Sequence, residues 1–233
     1  MSPLTSAPSH PATWRPMAFG DREPKHIRDP LCEPLWAGRR SLVHVDGGGV
    51  TIRDEDGAEL EGFEGLRAAI QGSNLALELV LDGYLMPGPL RSNPVAEAAL
   101  GAESMLTPGQ LTRQLFVGGG GGNRRREALE RAEARRVVLE PEGPTAFIAI
   151  DLLWLDGQPL LDLPLLERRR LLESVLQEVD LVRRSVAVRP PVEAWYAQWK
   201  ALGIVEFAVK DANSRYVPGG ESRDWVAAPI PRR

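Results

Sequence analysis

The stretch Ile150–Glu173, IDLLWLDGQPLLDLPLLERRRLLE, decides the reading of the fold. The apolar run that enters it, Ala146–Leu155, reads as a buried strand closed by the turn pair Asp156-Gly157. Pro164–Val179 follows as an amphipathic helix, with Leu165, Leu166, Leu171, Leu172, Val175 and Leu176 on or near its inner face. Strand, turn and helix in this order describe a sheet with a helix packed on it.

Working outward, the same alternation of strand and turn signals recurs. Upstream lie Ser41–Val45, Val50–Arg53 and Leu75–Leu81, the last ending at Asp82-Gly83. Phe63–Gln71 between them suits a short helix, and Thr107–Leu115 a further one with Thr as N-cap and Pro at its first turn. Downstream, Val192–Leu202 reads as a helix with Trp195 and Trp199 in the core, Ile204–Val209 as a strand, and Asp211–Arg233 as a turn-rich tail. Strands and helices mix without regular alternation, which gives an α+β class.

Residues 1–28 are rich in Pro and Ser and lack hydrophobic periodicity, so a flexible N-terminal arm is expected there. Residues 29–233 are read as one domain, interrupted over 117–137 by the glycine run Gly118–Gly122 and the charged helix Asn123–Arg136. Five consecutive glycines read as a linker. A phosphate-cradling loop would need a Lys-Ser/Thr after them, where Asn123-Arg124 stands.

Composition narrows the function. The net charge of −4 supplies no global basic field for nucleic acid. The single Cys32 excludes an intramolecular disulfide and a multi-cysteine metal site. No apolar run reaches the length of a membrane span, and the N-terminus lacks the apolar segment of a secretory signal, so a cytoplasmic protein without membrane contact is expected. Only Lys25, Lys200 and Lys210 are lysines, so only these could serve as amine nucleophiles.

Four segments carry an ordered pattern: Leu35-x-Ala37-Gly38-x-Arg40; Leu81-Asp82-Gly83-Tyr84; Ile150–Gly157 with the helix behind it; and Val205–Lys210 followed by Asn213-Ser214-x-Tyr216-x-Pro218-Gly219 and Asp224-Trp225. In order and spacing they resemble the adenylation (nucleotidyltransferase) domain of ATP-dependent DNA ligases, over roughly residues 29–229. The resemblance implies the DNA-ligase-type, ATP-grasp-like fold, two mainly antiparallel sheets flanked by helices around a cleft. It further implies a lysine that attacks the α-phosphate of ATP, carboxylates that hold a divalent metal, and basic groups that stabilise the charge developing in transfer. A ligase of this type also carries a following OB-fold domain, and none is expected in this chain.

Position by position, the resemblance departs where the chemistry lies. Leu35 stands at the nucleophile position and Ala37 at that of the following Asp. Glu55 stands where a basic residue is expected, and Tyr84 replaces an acidic one. Ile150 takes the place of an adenine-stacking aromatic. Val205 replaces the glutamate of the fourth motif, and Ala227 and Pro229 stand where the family has two late lysines. Glu206 is expected to face away from the pocket, opposite Val205 on the strand. Glu33, Gly38, Arg40, Ile150 and Lys210 remain as candidates for nucleotide contact. Neither a catalytic residue nor a metal ligand is assigned; ATP and magnesium are the cofactors a competent pocket would take.

The resulting expectation is a non-catalytic ligase-like protein, a pseudoenzyme in the sphere of DNA repair or recombination. Its candidate partners are a nucleotide, a DNA end or a protein. The alternatives are an active ATP-dependent ligase or nucleotidyltransferase with relocated residues, and a protein-interaction module unrelated to DNA.

Overall fold

The computed structural model describes residues 11–88 and 144–231. Within them, β3 (Arg39–Asp46) and β4 (Gly49–Asp54) form a hairpin, and α1 (Glu64–Ser73) follows. β5 (Leu79–Pro87) and β6 (Thr145–Leu155) continue that sheet in the order β4-β3-β5-β6-β7, with β7 at Gln158–Pro159 and β8 (Val182–Arg184) paired to β6 in parallel. The second sheet runs β1-β10-β9-β2, built from Ala18–Gly20, Glu221–Pro229, Glu206–Asp211 and Pro30–Pro34. Every pairing except β1–β10 and β6–β8 is antiparallel. The two helices that complete the α+β fold are α2 (Leu165–Val175) and α3 (Glu193–Ala201).

The burial pattern explains the layering. One apolar cluster, with Val43, Ile52, Ile70, Leu81, Phe147, Leu152, Leu172 and Val182, lies between the larger sheet and helices α1 and α2. The other, with Leu35, Tyr84, Ile148, Ile150, Leu153, Phe207, Tyr216 and Trp225, joins the inner faces of the two sheets and extends under α3. Trp195 and Trp199 are core residues of that second cluster, as their spacing predicts. The Asp156-Gly157 turn places both residues at positive φ, 44° and 83°, the geometry a two-residue hairpin needs.

Four expectations are corrected. Asp82-Gly83 is not a turn: β5 begins at Leu79 and runs through both residues to Pro87, while Leu75 and Leu77 are exposed before it. A register shift between Asp82 and Gly83 absorbs the glycine, where a Cβ would overlap the Ile148 carbonyl oxygen and the Phe147 ring. The strand read at Ile204–Val209, expected as a neighbour of Ser41–Val45, Leu75–Leu81 and Phe147–Leu155, starts at Glu206 and belongs to the second sheet, beside β2 and β10. The tail contains β10, whose residues pair with β9 from Trp225 to Pro229.

The fourth correction concerns the arm. Residues 11–28 pack on the domain: Trp14, Met17 and Ile27 are buried, Trp14 stands edge-on to Trp154, and the Met17 N–H donates to the Tyr216 hydroxyl. Three buried apolar side chains suffice to fix a Pro-rich segment that has no periodicity of its own. The Thr107–Leu115 helix, the glycine run and the Asn123–Arg136 helix lie outside the described residues.

Candidate functional site

The inner faces of the two sheets bring together the residues that the sequence scattered. In β2 and β9, Leu31 stands opposite Lys210, Glu33 opposite Ala208, and the Leu35 N–H donates to the Glu206 carbonyl. In-register partners share a face, so Leu31, Glu33 and Leu35 lie on the same side as Lys210 and Glu206. On β10, Trp225, Ala227 and Pro229 stand opposite Lys210, Ala208 and Glu206. Val205 is two-thirds exposed (67 %) and Glu206 is buried. The expectation that Glu206 faces away is therefore wrong: it is Val205 that points out, and Glu206 shares the face of Lys210.

Charged groups on this face are paired among themselves. Arg40 grips both carboxylate oxygens of Asp82, through Nε at 2.5 Å and Nη2 at 2.6 Å, and donates to the Tyr84 hydroxyl through Nη1 at 3.0 Å. The Tyr216 hydroxyl donates to the second Asp82 oxygen at 2.8 Å. Asp151 stands directly opposite Asp82 across β5 and β6, and it too is gripped at both oxygens, by Arg168 at 2.9 and 2.7 Å. Glu33 accepts from Arg169 at 3.0 Å and forms an ion pair with Lys210, whose ammonium lies 3.9 Å from the centre of the Trp225 ring. Arg169 also donates to the Ile150 and Ser185 carbonyls. Two aspartates facing each other would repel; a bidentate arginine on each makes the arrangement tolerable.

These contacts shift the titration of the site. Burial pushes the Lys210 ammonium below its ordinary value, and Glu33 only partly opposes this. Burial also pulls on Arg40, but the Asp82 carboxylate outweighs it and holds the guanidinium well above its ordinary value. Tyr84 and Tyr216 are both raised, first by burial; at Tyr216 the Asp82 carboxylate adds to it.

The candidate positions fall as follows. Leu35 is buried just past the end of β2, and Ile150 is buried in the same apolar cluster. Gly38 sits in the bend before β3, where a Cβ would overlap the Leu85 carbonyl oxygen and the Met86 sulfur, so the position admits only glycine. Ala37 is half-buried in that bend, and Tyr84 is buried against Arg40. Glu55 is exposed in the turn that follows β4, an edge strand, outside this buried group. Lys25 is exposed beside Glu23, and Lys200 donates to the Pro231 carbonyl; of the three lysines only Lys210 reaches the cleft.

Sequence reasoning missed Arg168 and Arg169. The helix was read from its apolar residues alone, and no role was assigned to the arginines. The buried stripe of α2 is Leu165, Arg168, Arg169 and Leu172, a spacing of three, four and seven that was present in the sequence.

Comparison with known proteins agrees with this arrangement. The family described as "ATP dependent DNA ligase domain" matches residues 122–227. A DNA ligase of Methanoculleus marisnigri is 38% identical over 79 residues, 34% of this chain and 14% of that protein. A DNA ligase of Thermococcus onnurineus is 31% identical over 87 residues, 36% of this chain and 16% of that protein. The aligned segments thus span about a third of this chain and about a seventh of the curated relatives. Among solved structures, the ligase domain of M. tuberculosis LigD superposes with a TM-score of 0.63 at 21% identity, over 94% of this chain and 60% of that one. A mycobacterial DNA ligase D complexed with ATP and MES gives 0.61 at 22% identity, over 94% and 61%. At such identities the structures establish the fold alone. Residues 122–227, a little under half of the chain, are similar to the adenylation domain of ATP-dependent DNA ligases.

Proposed function

We propose that this chain keeps the ligase scaffold without the chemistry of adenylate transfer, and that it acts in DNA repair or recombination by binding. The observation that carries this reading is the state of the cleft. At the nucleophile position stands Leu35, a buried side chain with no lone pair. The carboxylates that would hold a divalent cation are already engaged: Glu33 by Arg169 and Lys210, Asp82 by Arg40, Asp151 by Arg168. Three buried cations (Arg168, Arg169, Lys210) and the partly buried Arg40 share the region with four buried carboxylates (Glu33, Asp82, Asp151, Glu206), so no surplus charge attracts a polyphosphate. This donor set does not fit magnesium-bound ATP. A protein partner or a DNA end, met on the outer surface, fits better than a nucleotide in the cleft.

The second reading is an active ATP-dependent ligase or nucleotidyltransferase with a relocated nucleophile. Lys210 favours it, because burial lowers its affinity for a proton and an unprotonated amine is the nucleophilic form. One experiment separates the two. The chain is incubated with radiolabelled ATP and magnesium and resolved by denaturing electrophoresis. No labelled band is expected. A band that disappears in Lys210→Ala would establish the second reading and refute the first.

A further inference from the structure

Residues 11–20 lie on the domain in the manner of a bound peptide. Two of their side chains are buried, Trp14 and Met17, three positions apart, while Arg15 and Ala18 are exposed. Trp14 stands edge-on to Trp154 of β6, with 6.1 Å between ring centres. The Met17 sulfur accepts from the Val217 N–H at 3.2 Å. Main-chain bonds accompany these contacts. The Met17 N–H donates to the Tyr216 hydroxyl at 2.8 Å, the Gly219 N–H to the Arg15 carbonyl at 2.9 Å, and the Ala18 N–H to the Gly220 carbonyl at 2.8 Å. β1 then adds in parallel to the edge of β10 for three residues. It ends at Gly20, where a Cβ would overlap the Ser222 carbonyl oxygen.

Main-chain bonds along a sheet edge, with spaced side chains set into pockets, are how a folded domain takes up an extended peptide by strand addition. Here the peptide is attached to its own receptor. The attachment is loose: from Ala18 to His26 no side chain is buried, and the exposed Arg22–Asp224 contact at 3.5 Å adds little. The groove is built by distant parts of the chain, namely Trp154, the loop Tyr216–Gly220 and the edge of β10. Tyr216 is fixed from below, donating to Asp82 at 2.8 Å and standing edge-on to Trp225. The framework of the seat is thus anchored in the domain and not in the segment that fills it.

We propose that this groove is a peptide-docking site, filled in cis by residues 11–20 and open in trans to an extended segment of a protein partner. The occupant in place defines the chemistry: an aromatic residue, an apolar residue three positions later, and a glycine three positions after that, where the backbones meet. The inference rests on the reading that the chain acts by binding, and gives it a protein partner and a surface. A short tether presents its ligand at an effective concentration of about millimolar, so the attached segment competes with the partner. A site free only in a minor state binds with an apparent affinity reduced by the population of that state. Emptying the seat must therefore tighten binding in trans.

The probe is a synthetic peptide of residues 11–20, titrated calorimetrically into the full chain, as wild type and as Trp14→Ala/Met17→Ala. Binding to the variant at least about tenfold tighter than to the wild type is expected, and its loss is expected when the peptide itself carries Trp14→Ala. No binding to the variant, equal binding by the two chains, or equal binding of the two peptides would each overturn the proposal. A wild-type chain that dimerises with rising concentration in sedimentation, and returns to monomer on adding the peptide, would give the groove to a second copy and overturn the partner. If the variant fails to fold, amide exchange in the wild-type chain decides. The Met17 and Ala18 amides are expected to exchange faster than those of the β9–β10 ladder. Equal protection would mean that the segment leaves only when the domain unfolds, and overturns the proposal. The titration contains no nucleotide, so a labelled adduct with ATP would refute the binding reading without touching the peptide result, and the two can fail separately.

Discussion

Replacing Arg168 by methionine tests the physical basis of the cleft most directly. The guanidinium is wholly buried and makes four hydrogen bonds: to both Asp151 oxygens at 2.9 and 2.7 Å, and to the Leu163 and Ser214 carbonyls at 2.6 and 3.1 Å. Methionine fills much of the same volume but donates nothing. Asp151 would keep only the neighbouring Leu152 N–H and would face Asp82 across the strand pair with no cation of its own. Removing one partner of a buried ion pair costs about 3–5 kcal/mol, because the other charge stays buried. For a chain of this length that corresponds to a fall of about 6–20 °C in Tm. Urea denaturation followed by circular dichroism would measure it, with an unchanged m-value showing that the unfolded state is not what moved. The double variant Arg168→Met/Asp151→Asn removes the stranded charge and is expected to recover more than half of the loss. A loss under about 1 kcal/mol, or a double variant no better than the single one, would refute the claim that these ion pairs hold the cleft together.

Other measurements check other parts of the structure. All three tyrosines are raised by burial, Tyr196 to about 12, so the folded chain is expected to show little phenolate absorbance at pH 10, where the unfolded chain is half-ionised. Because the folded values lie above the unfolded ones, the tyrosine contribution to stability is intact below pH 10 and is lost as the pH rises beyond it. Burial pushes the Cys32 thiol up to about 12, so it is expected to resist a thiol reagent at pH 8 until the chain unfolds. Gly38→Ala forces a methyl group against the Leu85 carbonyl and is expected to cost about 1–3 kcal/mol in the same urea assay; a neutral outcome would show that the bend before β3 can yield. Leu35→Lys is expected to give no labelled adduct with ATP and magnesium, since Glu33, Asp82 and Asp151 remain tied to basic groups; a labelled band would show a pocket that lacks only its nucleophile.

What could be read from the sequence was what repeats locally. Ser41–Val45, Val50–Arg53 and the long run to Leu155 are strands because their apolar residues are unbroken or alternate, and Phe63–Gln71 falls within one residue of α1 at its start. Asp82-Gly83 misled because a glycine after an aspartate signals a turn, whereas here it absorbs a bulge inside a buried strand. Register shifts at both Asp82 and Val80 also break strict alternation, which is how Leu153 comes to share a cluster with Ile148 and Ile150. β10 escaped notice because Glu221–Asp224 carries three charged residues, and its partner lies in a strand already assigned elsewhere. The inward arginines were not legible because charged side chains are ordinarily exposed, and the carboxylates that pair with them, Asp151 and Glu33, lie far away in sequence.

The opposed pair Asp82 and Asp151 bears on how descent is inferred in proteins of this kind. Each aspartate is locked to an arginine, so neither member can drift alone without exposing the fold to the penalty of an orphaned charge. Foldedness alone is then enough to hold Asp82, Asp151, Arg40 and Arg168 in place, whether or not a nucleotide is handled. The presence of these four residues in a sequence therefore reports mutual structural dependence, and motif letters alone are no measure of enzymatic activity.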